Sequence, residues 1–193
     1  LVEAAAAEAF AAFAQEVFGP AAEAFGWQPA AGESAATGNA RSTAIAAAGR
    51  FGYRPVVDEA LRLTRNFIAR GDALHSQVFE PALRVAIRHG GAEVFDGLFA
   101  AFRRETDLGK AAQLLNALAA TAEPRCQQQL LQALLDGTVR MQDAYRVTGR
   151  MQTTQAGRLQ MMSFLKANWK QIRAITTDSV FTLNAFPKAS SSL

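Results

Sequence analysis

The sequence predicts an all-α fold. Apolar residues recur every three to four positions along most of the 193 residues, which is the spacing of one face of an α-helix. Glycine and proline interrupt this pattern repeatedly, and runs of β-branched residues are few. Half of the residues are apolar, which is enough to build a buried core in a chain of this length.

Local signals place five helices in the first half of the chain. Ser34 fits an N-cap, Pro55 fits the first turn of a helix that ends before Gly71, and Gly90 fits a left-handed helix end. Pro20 is expected to begin a turn or a kink. The predicted ranges are residues up to 25, 34–48, 55–70, a helix following Pro81 up to 89, and a helix around Phe95 that closes at 104. Phe10, Phe13 and Val17 form one stripe of the first helix.

Four further helices are predicted in the second half. Their expected ranges are 108–118, 124–135, 140–148 and 157–173. The first two should form a hairpin. Phe164 and Trp169 are expected to anchor the last helix in the core, because large aromatic side chains dominate core packing. Residues 175–193 are interpreted as a frayed or truncated end.

The spacing of these helices also predicts how they assemble. Helix pairs that recur at roughly 35 to 45 residues without a strict consensus are typical of α-solenoids of the HEAT or armadillo class. Each antiparallel pair buries one face against its neighbours, and the stack curves into a superhelix with a concave binding surface. We therefore expect residues 1–193 to form one helical-repeat domain.

Charge and cysteine content narrow the functional classes. The net charge of +3 and the pI of about 9.4 are mildly basic, and acidic residues are taken to accompany basic ones throughout, so no nucleic-acid partner is predicted. Glu3, Glu8 and Glu16 interrupt the opening segment, which excludes a signal peptide or membrane span there, and no membrane partner is expected. Cys126 is the only cysteine, which favours a reducing, cytoplasmic location.

The residues needed for free-standing catalysis are missing from the sequence. His75 and His89 are the only histidines, and neither lies in a His-Glu-x-x-His motif, so no zinc site and no cofactor are predicted in this chain. His89 is interpreted as a helix-end cap, His75 as a loop residue and Cys126 as a small buried hydrophobe. Hydrolase, nucleotide-binding and dinucleotide-binding fingerprints are also absent.

Two groups of motifs carry a family resemblance. The first group is Phe25-Gly26-Trp27, Gly32-Glu33-Ser34 and a helix that contains Arg41. The second is Val139-Arg140-Met141-Gln142-Asp143-Ala144, Gly157-Arg158 and Phe164-Leu165-Lys166-Ala167-Asn168-Trp169. In this order and spacing the motifs resemble the C-terminal helical domain of zinc aminopeptidases of the puromycin-sensitive and endoplasmic-reticulum aminopeptidase type.

The resemblance implies a function for the chain. In that family a thermolysin-like domain holds zinc and removes N-terminal residues, and the helical domain covers the active-site chamber and contacts the distal part of the peptide. The expected partners are therefore a catalytic domain of the same protein and peptide substrates. Because the sequence begins without Met, we expect it to be a C-terminal fragment of such an enzyme.

Arginine is the residue type best suited to hold a peptide carboxylate. The candidate substrate contacts are Arg140, Arg146, Arg150 and Arg158, which cluster near the second group of motifs. The alternative is that these arginines are structural or lie on a solvated face. Asp143 is expected to cap or pair locally.

A second hypothesis is a stand-alone α-solenoid that scaffolds other proteins. A His-Glu-x-x-His motif upstream in the gene would favour the enzyme, whereas a start codon just before Leu1 would favour the scaffold. A third reading, nucleic-acid binding, would require steeply salt-dependent affinity.

The missing ligands lead to a first prediction. The isolated chain should bind no stoichiometric zinc and cleave no aminoacyl reporter. Metal analysis after purification in zinc-containing buffer measures the first, and a fluorogenic amino-acid amide measures the second. One tightly held zinc ion per chain would contradict the prediction.

Overall fold

The computed structural model of the chain describes residues 2–175, and within them the fold is all-α. Nine α-helices occur in this part of the chain, with a 3₁₀ turn, Met141–Asp143, before the eighth. They are α1 (Val2–Phe25), α2 (Ala35–Arg50), α3 (Arg54–Arg70), α4 (Ser76–His89), α5 (Gly91–Arg104), α6 (Leu108–Leu118), α7 (Pro124–Leu135), α8 (Ala144–Met151) and α9 (Gln155–Ile175). The predicted fold class is confirmed. The expectation of a frayed end for 176–193 falls outside the described residues.

The helices group into two compact units, with the boundary inside α5 between Ala101 and Phe102. In the first unit α1 and α2 are antiparallel. The Gln15 side chain donates to the carbonyl of Phe51 at the end of α2 (2.7 Å), and Arg41, near the start of α2, donates to the carbonyl at the end of α1. The solenoid-like arrangement of paired helices is thus confirmed within this unit.

Small residues let α2 and α4 run parallel at close range. A Cβ on Gly38 would lie 2.0 Å from the Gln77 amide nitrogen, and one on Gly49 would lie 2.3 Å from a Val85 methyl group. At the far end, the Nε2 atom of His89 lies 2.8 Å from the carbonyl oxygen of Gly49. His89 therefore occupies the last turn of α4, as predicted, and also links that turn to α2.

The start of α4 differs from the prediction. The helix begins at Ser76, not after Pro81, and the Nδ1 atom of His75 accepts the N–H of Gln77 (3.3 Å), so His75 is an N-cap. A proline at position 81 cannot donate to the carbonyl of Gln77, four residues earlier. The Ser42 hydroxyl of α2 donates to that carbonyl instead. A neighbouring helix therefore makes the internal proline tolerable.

The first helix also continues through its proline. Pro20 is exposed, so water can reach the carbonyl that the ring leaves without a donor. The adjacent Gly19 packs against the ring of Tyr53, where a Cβ would lie 2.6 Å from the nearest ring carbon. The Tyr53 hydroxyl donates to Glu23 (2.9 Å), which ties α3 to the last turn of α1. The predicted turn at Pro20 was wrong.

The aromatic stripe of α1 faces outward. Phe10, Phe13 and Val17 are exposed by 58%, 59% and 47%, whereas Ala14 and Ala22 are buried. Small side chains on the inner face are what allow α2 to approach α1 closely. The periodicity therefore identified the helix correctly and left open which of its faces is covered.

Helix ends were predicted with mixed success. Ser34 accepts the N–H of Thr37 (3.1 Å), as expected of an N-cap, and Gly71 has a φ of 72° at the end of α3. Gly90 does not take the predicted left-handed conformation, since its φ is −97°. The left-handed residue is Gly91, with a φ of 64°.

In the second unit, α8 packs on both α6 and α7. The predicted hairpin of α6 and α7 is not among the closely packed helix pairs of this unit. The long α9 contacts α7 and α8, and the Gln160 amide donates to the carbonyl of Pro124 at the start of α7 (2.8 Å). The fully buried side chains include Leu114, Leu118, Leu130, Leu131, Met161 and Ile172. Cys126 is also buried, as the small-hydrophobe interpretation requires.

The predicted aromatic anchor of α9 was wrong. Trp169 is 52% exposed, and Phe164 is only partly buried. Met161 and Ile172 bury the inner face of the helix instead. Because successive residues turn by about 100°, Trp169 lies roughly 60° from Ile172, at the edge of the covered face.

Burial gives a second prediction. Phe95 is fully buried and stacks on Phe99 with a centroid distance of 5.8 Å. Phe95→Ala should therefore lower the free energy of unfolding by about 3–5 kcal/mol. Trp169→Ala should lower it by no more than about 1 kcal/mol, because half of the ring is already in water. Urea unfolding followed by circular dichroism measures both, and equal losses would contradict the assigned exposures.

Candidate functional site

A nearly buried ion pair lies at the centre of the first group of motifs. The side chains of Arg41 and Glu33 are only 3% and 9% exposed. Both terminal nitrogens of the guanidinium donate to the two carboxylate oxygens of Glu33. This bidentate geometry is the strongest form of an arginine–carboxylate contact.

The remaining donors of Arg41 hold the surrounding backbone. Its Nε atom lies 3.1 Å from the carbonyl oxygen of Phe25 and 3.2 Å from that of Gly26, at the end of α1. One terminal nitrogen also donates to the Gln77 side chain of α4 (3.1 Å). A single guanidinium therefore joins α1, the following loop, α2 and α4.

In the ion pair of Arg41 and Glu33, each side chain stabilises the charged form of the other. Hydrogen bonds from Arg41 hold the pKa of the Glu33 carboxyl below its ordinary value of 4.5, against the opposing effect of burial. The Ala30 N–H (3.2 Å) and the nearby charges of Arg41 and His75 lower the pKa further. The hydrogen bond to Glu33 in turn raises the pKa of Arg41. Both side chains are therefore ionised at neutral pH.

Sequence reasoning named Glu33 and Arg41 as motif members and missed their pairing. A signal was present, because Glu33 is the only acidic residue between α1 and α2, and Arg41 is the only basic residue of α2 before its last position. Helix α2 consists mainly of small residues that can pack closely, so the charge of Arg41 inside it needs a counter-ion once it is buried.

Two of the predicted substrate-contact arginines share one carboxylate in the second unit. Arg140 donates to Asp143 through Nε (2.8 Å) and a terminal nitrogen (2.6 Å). Arg146 lies 3.3 Å from the other oxygen of Asp143 and donates to Asn116 of α6 (3.1 Å). Its guanidinium also lies over the Tyr145 ring, 4.9 Å from the centroid. Asp143 pairs locally, as predicted.

The other two predicted arginines are placed differently. Arg150 is exposed, one turn beyond Arg146 on α8, and its guanidinium has no hydrogen-bond or ion-pair partner within residues 2–175. Arg158 of α9 donates to the carbonyl of Gln152 (2.9 Å), across the turn between α8 and α9. The four arginines therefore differ in the partners that hold them.

A surface cavity of about 300 Å³ adjoins the Arg140–Asp143 pair. Its lining combines charged side chains with an apolar floor and comprises Phe102, Arg103, Glu105, Leu108, Ala111, Ala112, Leu115, Thr138, Arg140 and Asp143. Arg103 is exposed and has no ionic partner in the described part of the chain. Sequence reasoning did not include Arg103 among the candidate contacts. A carboxylate attached to an apolar group fits this combination of surfaces.

Between positions 2 and 175 no three His, Cys, Asp or Glu side chains come together in a way that could hold a metal ion. In that range no helix combines the length and the apolar character that crossing a membrane requires.

The described part of the chain is thus all-helical, and in its second unit Arg103 and Arg140 border a surface cavity that is partly lined by apolar side chains. Its sequence matches the family described as the ERAP1-like C-terminal domain over residues 1–192. The chain belongs to this family, a family of aminopeptidase C-terminal domains, and the resemblance noted in the two groups of motifs is confirmed.

The ion pair yields a third prediction. Glu33→Gln should lower the melting temperature at pH 7 by on the order of 10 °C, because it leaves the buried Arg41 charge without its counter-ion. The folded-state pKa of Glu33 is lowered, so the pair's contribution is complete above pH 4.5 and is lost as the pH falls through the lowered pKa. The difference between wild type and variant should therefore shrink in acid.

The matched control is Glu59→Gln, which removes the carboxylate from the exposed Arg62–Glu59 pair. An exposed pair contributes little, so this melting temperature should change by less than about 3 °C. Melting curves at neutral pH and near pH 3 test both variants. Equal shifts for the two, or a Glu33→Gln defect that is independent of pH, would refute the assignment.

Proposed function

We propose that the chain is the C-terminal domain of a zinc aminopeptidase, where it covers the active-site chamber and contacts the distal part of peptide substrates. The family match over residues 1–192 is the observation that carries this proposal. The zinc would be held by a catalytic domain outside residues 1–193 and would polarise the scissile carbonyl and activate water. That domain and the peptide are the proposed partners.

The role of this chain is to bind substrate away from the reacting bond. An aminopeptidase holds the peptide N-terminus at the metal, so the far end meets whatever lines the opposite wall. Contacts there raise kcat/KM when their binding energy is used to position the peptide. Positively charged arginines beside an apolar floor match the carboxylates and side chains of a peptide.

The structure separates the candidate arginines by their availability. Arg146 is held by Asp143 and Asn116, so it positions the segment before α8. Arg140 keeps a 45% exposed side chain despite its bond to Asp143. Arg150 has no internal partner in the described region, so a carboxylate can bind it without displacing another contact. We therefore rank Arg150 first among the proposed contacts.

Kinetics on the full-length enzyme give a fourth prediction. Arg150→Ala should lower kcat/KM for a decapeptide by about tenfold, the loss expected for one charge-assisted contact in a water-excluding chamber. Hydrolysis of an aminoacyl amide should change by less than about twofold, because the small reporter does not reach α8. The ratio of the two kcat/KM values, at fixed salt, is the measured quantity.

The control is Arg65→Ala, which removes an exposed arginine of α3 that likewise lacks a partner among the described residues. It should leave the ratio unchanged. Arg146→Ala should reduce both activities together, since it loosens contacts between α6 and the start of α8. An unchanged ratio in Arg150→Ala would show that α8 does not face the substrate.

A further inference from the structure

Charge is distributed unevenly along the chain. Residues 1–40 contain five acidic side chains and no Lys or Arg, whereas residues 144–175 contain six basic side chains and no Asp or Glu. The expectation that acids accompany bases throughout the sequence was therefore wrong. The basic set is Arg146, Arg150, Arg158, Lys166, Lys170 and Arg173.

Cations of α3 and α9 differ in their pairing. Three of the four exposed arginines of α3 lie near carboxylates, in the pairs Arg54–Asp58 (3.1 Å), Arg62–Glu59 (2.6 Å) and Arg70–Asp72 (2.9 Å), and the fourth is Arg65. Lys166, Lys170 and Arg173 of α9 are exposed, and none has an ion-pair partner within residues 2–175.

These three cations lie in one row. At about 100° per residue, Leu159, Lys166, Lys170 and Arg173 fall within roughly 60° of one another, opposite the buried Met161 and Ile172. Trp169 flanks the row and is 52% exposed, and Leu159 is 62% exposed. From Leu159 to Arg173 the row is about 21 Å long, which is the reach of about six residues of extended peptide.

We propose that this α9 face, defined by Leu159, Lys166, Trp169, Lys170 and Arg173, binds an acidic peptide segment. Unpaired ammonium and guanidinium groups attract carboxylates and do not have to give up internal partners on binding. Trp169 and Leu159 offer apolar surface to side chains between the acidic residues, and an exposed tryptophan is typical of a binding anchor.

The same features favour a peptide over other polyanions. A row of three cations forms few phosphate contacts, and Trp169 is the one aromatic side chain of this α9 face that is more than half exposed and available for stacking on bases. A membrane-surface helix needs a continuous apolar face, whereas here the charged Lys166 lies between the two exposed apolar residues, Leu159 and Trp169.

The test is direct binding to the 193-residue chain. A fluorescently labelled ten-residue peptide with four Glu and one Phe is titrated, and anisotropy is compared with that of the same peptide carrying Gln for Glu. At about 50 mM salt the Glu peptide should bind at least about tenfold more tightly, and the preference should disappear at about 0.5 M salt.

Two variants with the same change of charge locate the site. The first is a triple variant of α9, Lys166→Gln/Lys170→Gln/Arg173→Gln. It should weaken binding of the Glu peptide by about tenfold or more. The second is a triple variant of α3, Arg54→Gln/Arg62→Gln/Arg70→Gln, which removes three paired arginines. Its affinity for the Glu peptide should stay within about twofold of the wild-type value. Trp169→Ala should weaken binding several-fold without changing the helical content of the circular dichroism spectrum.

Three results would overturn the proposal. The first is equal affinity for the Glu and Gln peptides, and the second is full binding by the folded α9 triple variant. The third is tighter binding of a short DNA duplex, or of vesicles containing phosphatidylserine, than of the Glu peptide, which would assign the face to another class of partner.

Discussion

The first unit depends on the pair formed by Arg41 and Glu33. Removing two charges from water is unfavourable, and the pair persists because nearly every donor and acceptor is satisfied. The contacts of Arg41 reach the end of α1, the loop after it and α4, so the pair fixes geometry more than it adds stability. Within the loop after α1, Trp27 packs against the core near the start of the loop, and the contact between Glu33 and Arg41 holds its other end.

Gln77 connects this polar centre to the close packing of α2 and α4. Its side chain accepts from Arg41 and occupies the space that a Cβ on Gly38 would need. Its carbonyl, which Pro81 leaves without a helical donor, accepts from Ser42. Glycine, proline and polar residues that look unrelated along the sequence therefore satisfy one local set of contacts.

Helix identity could be predicted from the sequence because it depends on local signals. Ser34 caps α2, and Gly71 ends α3, through contacts within a few residues. Pro81 and Trp169 were misjudged because the outcome depends on a partner far along the chain: Ser42 in one case, and the side chains that cover α9 in the other. The periodicity of apolar residues identifies one face of a helix, but it does not show which other part of the fold covers that face.

The candidate site shows the same limit for charged residues. The motifs drew attention to four arginines, but the sequence does not distinguish Arg146, bound to Asp143 and Asn116, from Arg150, which has no partner among the described residues. That distinction matters for the proposed substrate contacts, because a guanidinium already engaged inside the fold gives up a contact when it binds a ligand. The arginines of α3 that lie beside carboxylates already have a counter-ion. Arg150 of α8 and the exposed lysines of α9 have none among the described residues, so an acidic ligand can bind them without displacing an internal contact.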